Sequence, residues 1–246
     1  MKQVFLKILS NERLTDSVYK MRLGGDVSAI TAPGQFINIR LEGLFLRRPI
    51  SVFDVDAESV TIIYKVVGEG TARMSRMTAD SPALDVLTGL GNGYDLRRAG
   101  DKPLLIGGGV GVPPLYLLAK RLRAEGKDVT VVLGFNTAAE MFCEADFRAL
   151  GCRVLTATAD GSYGVKGFVT DAVREDGGEY SYFYTCGPEP MLKAIYKSLP
   201  IAGEFSFEER MGCGFGACMG CSCKTVTGNK RICLEGPVMR REDIIW

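Results

Sequence analysis

An antiparallel β barrel, then a parallel α/β sheet, then a small cysteine-rich module is the fold class this sequence predicts, a β plus α/β architecture resting on three observations. Short apolar–polar alternations broken by Gly-Gly, Pro-Gly and Glu-Gly turns fill residues 1 to about 66. Strand-like runs that end in glycine and lead into helical spacing fill 103 to 199. Five of the eight cysteines crowd between 213 and 233. With 246 residues and 46% hydrophobic content, the chain can fill two modest cores and carry a further module.

In the first part, VFLKIL, YKMRL, QFINIRL and VTIIYKVV read as strands of a barrel. Within it, RRPIS (47–51) places a cation, a rigid turn and a hydroxyl close together. GEGT (68–71) leads into a short helical pattern at 71–79. Arg48 and Ser51 could clasp one side of a dinucleotide phosphate, with Gly70 and Thr71 on the other; an ordinary turn and a helix cap would use the same residues. The glycine-rich TGLGNGYDL closes this part, and a boundary between Ala99 and Lys102 is expected.

Strands alternating with helices then imply right-handed crossovers and a doubly wound, Rossmann-like sheet. PLLIGGG precedes PPLYLLAKRLRAEG, DVTVVLGF and CRVLTATAD follow, and YSYFYTCG runs into PEPMLKAIYKSL. The GGGVG turn, with Gly107, Gly108, Gly109 and Gly111, can bring backbone amides against a pyrophosphate, although it does not fit G-x-G-x-x-G cleanly. TCGPEPML sits at a second strand end, and TADGSYG, with Asp160, at a third; together they mark the carboxyl edge as a nucleotide site. Residues 134–147 contain no Arg or Lys for a 2′-phosphate and carry Glu140, Glu144 and Asp146, which favours NAD over NADP. Glu140 is a candidate for the ribose hydroxyls or, equally, a solvated helix-face acid.

From about Gly203 the chain is glycine- and cysteine-rich, and little regular structure is expected there. Cys213, Cys218, Cys221 and Cys233 follow the C-x4-C-x2-C…C spacing of plant-type [2Fe-2S] sites. Gly212, Gly214, Gly216 and Gly220 let the backbone wrap closely and turn amides toward sulfur. A zinc ribbon also uses four thiolates but pairs two short knuckles of similar length. Cys223 could exchange with Cys221, though the spacing favours Cys221. Cys143 and Cys152 read as small buried hydrophobes. The expected division is 1–99, 100–202 and 203–246.

Thirty Lys and Arg against 29 Asp and Glu leave a formal charge of +1, which gives no long-range attraction for nucleic acid or anionic membrane. The chain contains no histidine, so imidazole ligands, Ser-His-Asp triads and a histidine base are excluded. MKQVFLKILS has no apolar run of signal length and no 18-residue apolar run follows, so a cytoplasmic location is expected.

In this order, RPIS, GEGT, GGGVG, CGP and the cysteine loop resemble the ferredoxin-NADP reductase superfamily, and within it the electron-transfer subunits of class 1B dihydroorotate dehydrogenases. The resemblance covers essentially the full length. It implies FAD in the barrel, NAD(H) as substrate in the sheet domain and a [2Fe-2S] cluster facing a partner. That partner would be an FMN-containing catalytic subunit that oxidises dihydroorotate in pyrimidine biosynthesis, two of each subunit forming a heterotetramer. Carried over by motif, the FAD contacts are Arg48, Pro49, Ile50 and Ser51, then Ile63, Tyr64 and Lys65 of IYK, then Gly70 and Thr71. Cys186, Gly187 and Pro188 fall on the nicotinamide side. The chain departs from the superfamily's R-x-Y-S in having Ile50 at the tyrosine position, and its terminal aromatic, Trp246, follows the cysteine loop, which suits packing or partner contact. The small subunit of an NADH-dependent ferredoxin or sulfide-type reductase is the nearest alternative, although such relatives can have Asp where this chain has Cys213. A redox-sensing binding module without turnover is a third, with no DNA-binding motif to support it.

Overall fold

The computed structural model describes residues 1–246. Six strands close the N-terminal barrel: β1 (Lys2–Arg13), β2 (Val18–Gly24), β3 (Phe36–Ile39), β4 (Arg48–Val55), β5 (Ser59–Lys65) and β6 (Leu84–Leu90). Their order is β1-β2-β5-β4-β3-β6, antiparallel throughout. The period-2 alternation has its usual cause: Leu6, Ile8, Met21, Leu23, Ile37, Ile39, Val52 and Ile62 all turn into one dry interior. Helix α1 (Glu69–Met74) is shorter and begins earlier than the pattern at 71–79 suggests, so Gly70 and Thr71 lie inside its first turn. The Thr71 hydroxyl explains the early start. It accepts from the Val67 and Gly68 amides at 3.0 and 3.3 Å, and Met74 then drops into the barrel core.

The second sheet contains β7 (Pro103–Gly108), β8 (Thr130–Phe135), β9 (Arg153–Thr158), β10 (Val165–Lys166), β11 (Tyr182–Cys186) and β12 (Gly203–Ser206), with α2 (Pro114–Ala124), α3 (Glu144–Ala149), α4 (Val169–Asp176) and α5 (Glu189–Ser198) as connections. The strand order is β10-β9-β8-β7-β11-β12-β15, and only β15 (Val238–Arg240) runs antiparallel to its neighbour. Near-continuous burial along β7, β8 and β11 fits a sheet covered on both faces. Leu115, Leu118 and Phe147 cover one face, and Val169, Leu192 and Ile195 cover the other.

The C-terminal segment is more regular than its composition suggests. Besides β12 and β15 it forms a hairpin, β13 (Ser222–Thr225) with β14 (Gly228–Arg231). Its strands have only three or four residues, too few for alternation to show, and what fixes them is tertiary: Phe205, Met239 and Ile244 join the core that also holds Cys221 and Cys233.

Barrel and sheet share their cores. Val18, Phe53 and Ile63 pack with α2 and α3, while Phe36, Leu87 and Leu90 pack with α5 and the cysteine segment. Phe53 stacks on Tyr116 with centroids 4.2 Å apart, and Lys120 pairs with Asp54 at 2.8 Å. No helix is long and apolar enough to cross a membrane.

Candidate functional site

Four of the C-terminal thiols are grouped two and two. The Cys213 and Cys218 amides each point at the other's sulfur at 3.4 Å, and the Cys233 amide donates to Cys221 Sγ at 3.4 Å. Phe215 and Ala217 add amides to Cys213 Sγ at 3.5 and 3.2 Å. Two irons, each taking two thiolates, match such a grouping better than one tetrahedral ion does. Burial works against ionisation of Cys213, but the amides of Phe215, Cys218 and Ala217 outweigh it and bring the thiol down to about 6. Buried Cys233 moves the other way, to about 12.

The loop glycines divide the work. Gly214 and Gly216 hold left-handed φ of +78° and +93°, which side chains rarely adopt. Gly212 leaves room for sulfur, since a Cβ there would lie 3.1 Å from Cys218 Sγ, whereas at Gly220 the corresponding 3.5 Å is ordinary contact. Cys221, rather than Cys223, receives the Cys233 amide; Cys223 sits opposite Lys230 in the hairpin.

On the barrel, the structure brings RPIS and GEGT together. The Arg48 guanidinium lies over Gly70, where a Cβ would fall 2.8 Å from Cζ. Pro49 and Ser51 pair with Asn38 and Phe36 across the β3–β4 ladder. Ile50 packs partly against the barrel core. Of the IYK run, Ile63 packs toward the sheet domain and Lys65 is exposed, but Tyr64 turns inward, 2% exposed, and its hydroxyl donates to Asn11 Oδ1 at 3.1 Å. Any contact Tyr64 makes with a cofactor is therefore through its backbone.

At the carboxyl edge of the sheet is a cavity of about 520 Å³, a size suited to a nucleotide. Gly108, Gly109, Gly111, Gly187, Pro188 and Glu140 line it, and Lys65 reaches it from the barrel. Gly111 permits the two strand-end loops to touch backbone to backbone, since a Cβ there would fall 2.5 Å from the Cys186 carbonyl carbon. Asn136 Nδ2 donates to Glu140 Oε2 at 2.9 Å and so orients the carboxylate at the cavity wall.

Three sequence candidates lie outside that lining. Gly107 serves packing, as a Cβ would meet Val112 Cα at 2.9 Å. Cys186 is a buried thiol pushed up by its burial. Asp160 turns to Ser162, accepting from its amide at 2.9 Å and its hydroxyl at 2.6 Å, which lower its pKa. A second cavity, about 320 Å³, shares Gly187, Pro188 and Glu208 with the first and continues to Cys223 and Trp246. Trp246 packs among Tyr196, Phe205 and Phe207. Sequence reasoning passed over Asn38 and Glu204, buried polar residues of short strands that carry no motif.

Residues 208–245 match the family model of the iron-sulfur cluster binding domain of dihydroorotate dehydrogenase B, and 105–197 match the oxidoreductase NAD-binding domain. The chain is 44% identical to the dihydroorotate dehydrogenase B (NAD(+)) electron transfer subunit of Bacillus pumilus, over 99% of this chain and 98% of that one. It is 42% identical to the subunit of that name from Fusobacterium nucleatum, over 95% of each. Among solved structures it resembles an NADH-dependent reduced ferredoxin-NADP oxidoreductase studied for flavin-based electron bifurcation, with a TM-score of 0.88 and 30% identity over 99% of this chain and 90% of the other. A Neisseria gonorrhoeae ferredoxin NADP+ reductase with bound FAD and NADP, 18% identical over 81% of this chain and 91% of the other, shares the fold at a TM-score of 0.70.

Proposed function

The chain belongs to the family of dihydroorotate dehydrogenase B electron transfer subunits, and from that premise we propose that it carries electrons between NAD(H), FAD and a [2Fe-2S] cluster on behalf of a catalytic partner. The observation that carries this reading is the grouping of four thiols, two and two, in a segment tied to β3, the barrel strand that pairs with the RPIS strand. FAD, when bound, supplies exchange of a hydride with nicotinamide and of single electrons with iron-sulfur. The chain's own part is to hold these groups in order. Cys213, Cys218, Cys221 and Cys233 ligate the irons, with amides from Phe215 and Ala217 neutralising sulfur charge.

Arg48, Pro49, Ile50, Ser51, Gly70 and Thr71 form the flavin side, with Ile63, Lys65 and the Tyr64 backbone beside them. Gly108, Gly109, Gly111, Gly187 and Pro188 take the nicotinamide dinucleotide, and Glu140 binds ribose hydroxyls, which favours NAD. Gly107 and Cys186 shape this site from behind, and Asp160 borders its rim. The functional units are 1–99, 100–202 and 203–246, the last lending β12 and β15 to the sheet of the second.

The partner is an FMN-containing catalytic subunit, two copies of each chain assembling in the cytoplasm. Electrons from dihydroorotate then leave through this chain to NAD⁺ during pyrimidine biosynthesis. The purified chain should contain FAD with about two irons and two sulfides, and should support dihydroorotate-dependent NAD⁺ reduction once the partner is added. Zinc in place of iron, or absence of flavin, would overturn the reading. The likeness to the ferredoxin-NADP oxidoreductase motivates a second one, a reductase working with ferredoxin. It would be preferred if NADH oxidation required ferredoxin and ignored dihydroorotate.

A further inference from the structure

Between the RPIS strand and the cysteine loop stands one side chain that belongs to neither set of site residues. Asn38 lies on β3 opposite Pro49 and is 1% exposed. Its neighbours Ile37 and Ile39 face the barrel interior, whereas Phe36 packs with Met211, Cys221 and Cys233. Asn38 therefore shares the outward face with Phe36 and, across the ladder, with Pro49 and Ser51. From that face its Nδ2 donates to the Cys213 carbonyl at 3.3 Å. The next residue, Gly214, is where a Cβ would fall 3.2 Å from Asn38 Cγ. Its strand is braced from behind, since Arg47 donates to the Asn38 carbonyl at 3.3 Å and to both Asp85 carboxylate oxygens at 2.9 and 3.0 Å. Oδ1 is buried and accepts from no group of the chain.

We propose that Asn38 is a positioning residue for electron transfer, its carboxamide holding the Cys213–Gly214 lip of the cluster loop at a fixed separation from the flavin-carrying strand. The inference rests on the cofactor order proposed above. An apolar side chain of similar volume would remove the unpaired Oδ1 while leaving the Cys213 carbonyl without its donor, two effects on stability that roughly offset. The role in positioning is therefore separable from stability.

Asn38→Leu in the holoprotein separates them. NADH gives the flavin a hydride, hence two electrons and a proton. One electron would pass to the cluster held by Cys213, Cys218, Cys221 and Cys233, and an added one-electron acceptor such as ferricyanide would take the other. Under anaerobic stopped flow, flavin bleaching by NADH should stay within about twofold of wild type, while cluster reduction, read by freeze-quench EPR, should slow by roughly tenfold or more. The thermal midpoint should not fall. Cluster reduction at the wild-type rate, or slowed only in proportion to lost iron or a lowered midpoint, would overturn the inference.

If Asn38→Leu does not assemble a cluster, Gly214→Ala presses on the same contact from the loop side and should slow the same step. Cluster reduction at the wild-type rate in a loaded Gly214→Ala variant would sink the idea. A wild-type chain without flavin or cluster would overturn both this inference and the proposed function, whereas normal transfer in Asn38→Leu overturns this one alone.

Discussion

The two thiol pairs of the C-terminal loop are chemically alike and structurally opposite. Cys221 and Cys233 are each 2% exposed and belong to the core that joins barrel, sheet and hairpin. Cys218 is exposed and Cys213 half-buried, both held by amides and glycines instead of core packing. One pair is placed by the hydrophobic core and the other by loop conformation. The contrast gives the proposed cluster a fixed inner end and an outer end open to a partner.

The sharpest way to break that contrast is to remove one thiol from each pair. Cys233→Ser should abolish the cluster and transfer through it to the catalytic partner while NADH-to-flavin transfer survives, and it should also destabilise the fold by roughly 1–3 kcal/mol, because a hydroxyl replaces a packed thiol. Cys213→Ser should abolish the cluster as completely. Its apoprotein, compared with wild-type apoprotein, should unfold within about 1 kcal/mol of it, since half-buried Cys213 belongs to no hydrophobic core. Equal destabilisation by the two variants, measured by denaturant unfolding of apoproteins, would erase the distinction between inner and outer ends.

A smaller effect appears in reactivity. In the apoprotein Cys213, near 6, is largely thiolate at pH 7, and Cys233, near 12, is not. Iodoacetamide at pH 7 should label Cys213 well before Cys233, and the Cys213 rate should fall as pH drops through about 6. Mass-resolved labelling at two pH values checks both statements.

The same division governs what the sequence reveals. Barrel strands show because β alternation registers a single dry interior, and the outer cysteines show because their spacing and glycines are local requirements. The sheet-edge glycines were legible as a set. Their separate duties were not: Gly108 lines the cavity while Gly107 only admits Val112, a distinction made by α2 packing across β7. Tyr64 reads as a flavin contact in the IYK run, yet the alternation of β5 turns it onto Asn11 inside the barrel. β12 and β15, four and three residues long, were hidden because so short a run shows no alternation, and β15 also because its partner is distant in sequence, Phe205 pairing with Met239. Asn38 was hidden for the same reason, its partner Cys213 lying 175 residues away.

The smallest effect concerns how the cysteine segment is attached. β12, which leads into it, carries Glu204, 3% exposed and accepting from the Asp95 amide at 3.0 Å. Burial raises its carboxyl from 4.5 to about 7; the Asp95 amide opposes that rise, the Asp95 carboxylate adds to it, and Arg98 and Arg240 oppose it. The folded state then binds this proton more tightly than the unfolded state, so this group's contribution to stability is greatest below pH 4.5 and declines as pH climbs to about 7. The full decline is on the order of 3 kcal/mol. Glu204→Gln keeps an acceptor for the Asp95 amide and removes the titration. Between pH 5 and pH 8 the variant should lose less stability than wild type, and at pH 8 it should melt several degrees higher. A wild-type and variant pair with parallel pH profiles would mean that Glu204 is hydrated in solution, and that the sheet edge holding the inner thiol pair is looser than its burial implies.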